Sequence, residues 1–120
     1  MVTRAKRTNK VDKLTDYYTY RITWSAKDGE FVGLCAEFPS LSWLDKTKEG
    51  ALSGIINLVN EVVSDMEANN EAVPSPFSIR QYSGKLLVRI PPHVHRELAI
   101  QAAESNVSIN RIISSKLASV

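Results

Sequence analysis

The stretch KLLVRIPP, residues 85–92, constrains the fold of this chain more than any other. Lys85, Leu87 and Arg89 fall on one side of a two-residue repeat and Leu86, Val88 and Ile90 on the other, which predicts a strand apolar on one face and partly basic on the other. Pro91 and Pro92 stop it. The 28 residues that remain, 93–120, read as two helices and no strand, so this strand has no downstream partner in its own chain. A module of this size buries too little apolar surface to fold alone, and a single cysteine, Cys35, excludes an internal disulfide or a thiolate zinc cluster. The same strand of a second copy, antiparallel about a two-fold axis, is the natural partner. A homodimer or higher oligomer is therefore expected.

Local signals define the two helices. Pro92 suits a first helical position, and Val94, Leu98 and Ala102 make a narrow apolar stripe to about Ser105. Asn106 is a residue type that takes the left-handed conformation closing a helix. Ser108 is the next N-cap, Val107 and Ile112 can staple it, and Ile109, Ile112, Ile113, Leu117 and Val120 form a second stripe.

Pairing two such strands presents Lys85, Leu87 and Arg89 twice on the outer face of a ribbon. A two-stranded ribbon fits the major groove of B-DNA, where Lys and Arg donate to guanine edges and an apolar side chain meets a thymine methyl. Ser108 and Asn110, at the start of the last helix, lie where free backbone N–H groups favour a phosphate. The plainer alternative is an edge strand whose basic residues only keep it soluble.

Charge is distributed to match. Residues 1–13 carry a net +4, residues 14–83 a net −5 and residues 84–120 a net +3, an acidic body with a basic C-terminal module facing a polyanion. The first residues lack apolar periodicity and read as a basic flexible tail, 1–14. No apolar run is long enough to span a membrane and no signal-peptide pattern opens the chain, so a cytoplasmic protein with no membrane partner is expected.

From Tyr17 the chain alternates. Tyr18, Tyr20, Ile22 and Trp24 oppose Tyr17, Thr19, Arg21 and Thr23 in a half-buried strand, AKDG turns, EFVGLCAEF returns, and LSWL is a short third strand. Thr47 is the expected N-cap of a helix to about Asn69, whose Leu52, Ile55, Ile56, Val59, Val62, Val63 and Met66 form one stripe for the sheet. NNEAVPSP ends it, and 74–83 reads as a linker or a short strand near Phe77 to Tyr82. The fold class is α+β, with an N-terminal β-β-β-α domain over 15–73 and a strand-helix-helix domain over 84–120.

The stretch GKLLVRIPPHVHRELAIQAAESNVSINRIISSKLA resembles the ribbon-helix-helix DNA-binding domain of the Arc and MetJ type. YRITWSAKDGEFVGLCAEFPSLSWLDKTKEGALSGIINLVNEVVSDM, followed by VPSP, is similar to the N-terminal domain of HicB antitoxins. The resemblance implies a partial RNase H-like or double-stranded-RNA-binding-like domain that masks a small basic mRNA-cleaving toxin of the HicA type, and a C-terminal domain that represses their operon by binding operator DNA. It makes Glu37, Phe38, Trp43 and Asp45 the candidate toxin contacts. Leu87 stands where such ribbons often carry a polar base-reading residue.

Other chemistry finds little support in the residues. His93 and His95, two apart at a helix start, do not converge on a metal. The acids of the first strands, Asp16, Asp28, Glu30 and Glu37, do not form a two-metal cluster, and Cys35 has no base partner. No enzyme activity, cofactor or metal is expected. Trp24 and Trp43 read as core aromatics rather than a base-stacking platform. A stand-alone ribbon-helix-helix regulator, with an N-terminal domain that senses a ligand or only oligomerises, is the alternative.

Overall fold

The computed structural model describes residues 13–119, so the expected basic tail lies outside the described residues but for Lys13 and Leu14. The chain divides into two compact units, Met1–Gln81 and Tyr82–Val120.

In the first unit the alternating segments form an antiparallel hairpin of β1, Tyr20–Ser25, and β2, Glu30–Cys35; β3, Ser42–Asp45, pairs antiparallel with the other side of β2. The hairpin closes where Gly29 N–H donates to the Ser25 carbonyl at 2.8 Å, with Gly29 at φ +66, a backbone state that glycine adopts without a steric cost. Helix α1, Lys48–Ala68, starts as its cap predicts: Gly50 N–H donates to Thr47 Oγ1 at 2.9 Å. Its stripe then covers one face of the sheet. Ile55 and Val59 are fully buried there with Cys35, alongside Tyr18 and Val63.

Gly33, in the middle of β2, sets how close helix and sheet come. A Cβ at this position would sit 2.5 Å from the Ala51 carbonyl oxygen and 2.9 Å from Ile55 Cγ2. Gly33→Ala is therefore expected to lift α1 and cost about 1–3 kcal/mol, as overpacking does in other cores. Urea denaturation reads this directly, and an unshifted midpoint would refute the close-approach argument.

Three features depart from expectation. Leu14–Tyr17 is a 3-10 turn rather than the end of a tail. Its Thr15 is buried and donates through Oγ1 to Asn60 Oδ1 on α1 at 2.6 Å. Trp24 is not core: it is 54% exposed at the hairpin end, edge-to-face with Phe31 at 5.0 Å. Trp24 still lies on the helix side of β1, opposite Phe31, so burial ends before the alternation does. Finally, no strand forms near Phe77 to Tyr82. Phe77–Ile79 is a 3-10 turn, and the chain before it is a fastened strap. Pro76 is fully buried, Tyr18 Oη donates to the Pro74 carbonyl at 2.7 Å, and Ser78 Oγ donates to the Tyr17 carbonyl at 2.6 Å.

The second unit contains α2, Pro92–Ser105, and α3, Ile109–Ala118. Pro92 occupies the first helical position, Asn106 takes φ 55 and ψ 43 in the left-handed region, and Arg111 N–H donates to Ser108 Oγ at 3.1 Å. These caps match the sequence reading because each acts within one turn. The core does not follow. Ala102 is the only buried residue of this unit among the described residues.

Candidate functional site

Residues 85–90, expected to be a strand, take no regular secondary structure and pair with no strand among the described residues. Lys85, Leu87 and Arg89 are exposed, Leu87 at 92%. The apolar set on the alternate positions is exposed too, with Leu86 at 83% and Val88 at 66%. Between this segment and α3 runs a groove lined by Gly84–Val88 with Asn110, Ile113, Ser114 and Leu117. Consecutive exposed aliphatic side chains beside such a groove make this the largest run of exposed apolar residues in the second unit among the described residues. Ser108 spends its hydroxyl on capping α3, while Asn110, two residues on, stays exposed at the groove. The structure thus brings Lys85, Leu87 and Asn110 to one groove; Arg89 lies beyond its lining.

The first unit treats its four candidate residues differently. Glu37 is buried, at 7% exposure, and turns inward. Its Oε1 accepts from Thr19 N–H at 2.8 Å and from the Cys35 thiol at 3.5 Å; its Oε2 accepts from Phe77 N–H at 2.9 Å and from Thr19 Oγ1 at 3.2 Å. Burial pushes this carboxyl up, but the N–H groups of Thr19 and Phe77 outweigh it and hold the group below its ordinary value. Burial meanwhile pushes the Cys35 thiol up, which makes it a weak nucleophile. Glu37 is thus a clamp that joins the entry to β1 to the strap, not a surface contact.

Phe38 also faces inward, edge-to-face with Tyr18 at 5.7 Å and packed on the core. Asp45 accepts from Thr47 N–H and Thr47 Oγ1, both at 2.9 Å, ahead of α1. Those bonds hold its carboxyl below the usual range. Trp43 remains 43% exposed, with its indole against Gly54 of α1. Of the four, Trp43 and Asp45 thus share the β3 edge, Glu37 is buried, and Phe38 is partly buried against the core.

Sequence reasoning missed the strap as a structural element. VPSP carried the only signal, since prolines restrict the chain to extended conformations that suit a docked segment. Arg80 completes it, donating to the Ser75 carbonyl at 2.7 and 3.0 Å with its guanidinium 3.9 Å from the Phe77 ring centroid. No group of three or more potential metal ligands occurs among the described residues, and no helix there is long and apolar enough to cross a membrane.

Comparison with curated proteins and with solved structures gives no match. A family model does match, over residues 67–117: from the last turn of α1, through the strap, to the last turn of α3, the chain is similar to the HicB family.

Proposed function

We propose that the chain is a HicB-type antitoxin, whose first unit binds and silences a HicA-like toxin and whose second unit, paired as a ribbon-helix-helix domain, represses the operon. The observation that carries this reading is the HicB match over 67–117, which takes in the strap and nearly the whole strand-helix-helix segment. The caps of α2 and α3 support a helix-turn-helix pair of fixed geometry, and the near-absence of a core in this unit supports pairing with a second copy. The net charge of −5 over residues 14–83 suits a basic protein partner, and the +3 over residues 84–120 suits DNA. In this reading no catalysis is involved.

The test is co-expression with the product of a small basic reading frame beside this one, followed by pull-down and toxicity rescue. A folded full-length chain that neither binds nor rescues would overturn the antitoxin half. For the repressor half, Arg89→Ala is expected to cost about 1–3 kcal/mol per lost base contact and to relax preference at one operator position in each half-site. Asn110→Ala should instead weaken binding to all sequences about equally, because phosphate contacts carry no base identity. Anisotropy titrations on the upstream region and a scrambled duplex, at two salt concentrations, separate the two. Equal binding by Arg89→Ala and the parent on both duplexes would remove the strand as the reading head.

A further inference from the structure

The first unit's sheet has three strands in the order β1-β2-β3, so it ends in two edges. Alternate residues of an edge strand direct N–H and C=O groups away from the sheet, a template for another strand. The two edges are not alike. β1 carries Arg21, exposed, and the strap is fastened at its start through Tyr17 and Glu37. β3 carries no proline, no lysine and no bulge: Ser42, Trp43, Leu44 and Asp45 face Leu34, Gly33, Val32 and Phe31 in unbroken register. No described residue bonds its outer side, and shortness is its one protection.

β3 also presents grip on both faces. Trp43 lies on the helix side, opposite Gly33, and Leu44 on the open side, opposite Val32; they are 43% and 44% exposed. Exposed aromatic and aliphatic side chains flanking an unpaired edge suit strand addition, in which main-chain bonds give affinity and alternate side chains give selectivity. Asp45 ends the strand, exposed Lys46 and Lys48 follow it, and α1 carries exposed Glu49, Glu61, Asp65 and Glu67. A basic chain is thus drawn to residues 14–83, net −5, whereas a second copy, net +2 over the whole chain, offers no such excess of positive charge.

We infer that the outer edge of β3 is the docking edge for an extended segment of a basic partner protein, which adds to the sheet as a fourth strand. This rests on the proposed toxin-binding role of the first unit and names the mode of binding. Trp43 and Leu44 anchor the added strand from opposite faces, and the net −5 over residues 14–83 sets its charge preference.

The experiment uses the full-length chain and the basic protein of the adjacent reading frame, purified separately. Leu44→Lys places an edge-blocking cation beside the docking edge; Thr23→Lys, on the exposed face of β1, is the matched change at the other edge. Leu44→Lys is expected to weaken binding about tenfold or more and Thr23→Lys to leave it within about twofold, since each 1.4 kcal/mol is a factor of ten. Both should melt like the parent. Amide hydrogen exchange in the complex should slow within 42–45. If the parent binds, yet Leu44→Lys binds equally and 42–45 exchange unchanged, the edge is refuted while toxin binding stands. If Thr23→Lys alone disrupts the complex, β1 is the docking edge and the inference fails. Concentration-dependent protection of 42–45 in the isolated protein would make a second copy the occupant and overturn the basic partner. If the parent does not bind at all, the toxin-binding reading falls, and this edge's role with it.

Discussion

Glu37→Ala should destabilise the first unit by about 2–5 kcal/mol. The change removes the acceptor of two backbone N–H groups, those of Thr19 and Phe77, in a part-buried setting, and an orphaned buried donor costs about 1–3 kcal/mol. It also loosens the strap, because Phe77 N–H loses its carboxylate acceptor. Glu37→Gln should be milder, since one amide oxygen still accepts, but its NH2 group must face a donor. The pH dependence has a definite sign. The folded carboxyl titrates below its ordinary value of 4.5, so its contribution is present in full above that value and fades as pH falls through the lower folded one. Denaturant melts of parent and Glu37→Gln between pH 7 and pH 3 should therefore converge in acid. Parallel curves over that range would show that the clamp contributes no charge-dependent stability.

Val88→Asp should have the largest effect on assembly. In one chain Val88 is 66% exposed, so the substitution costs the monomer little. In the proposed ribbon each copy buries this side chain beside its symmetry mate, and burying a Val is worth about 1.5–3 kcal/mol. An Asp there puts two like charges into an apolar layer, a cost large enough to abolish pairing at micromolar concentration. Sedimentation should show a monomer, and operator binding should be lost with the ribbon. The melting of the first unit should be unchanged, because its core lies within Met1–Gln81. A Val88→Asp protein that still dimerises and binds DNA would place the dimer contact elsewhere.

Much of the architecture was legible because it is local. The hairpin at Gly29, the Thr47 and Ser108 caps, Pro92 at the head of α2 and the left-handed Asn106 each depend on residues within one turn of chain. Such interactions form wherever the residues occur, so spacing alone reveals them. The thin core of the second unit was legible for a related reason: a count of apolar residues is a property of composition and order.

The candidate contacts of the first unit were less so. Glu37 and Phe38 look like surface residues beside a turn, yet one clamps Phe77 from 40 positions away and the other packs on Tyr18. Trp24, which alternation assigned to the core, lies at the sheet's uncovered end. By itself the sequence determined the hairpin, the helices with their caps, the division of charge and the lack of a downstream strand for residues 85–90 among the described residues. Only the tertiary structure decided which acids and aromatics face inward, that residues 74–79 are a strap, and that Trp43 and Leu44 flank an open edge. The physical reason is range. Caps and turns are settled by neighbours along the chain, whereas a buried carboxylate is settled by donors that meet it only once strands, helix and strap have closed around it.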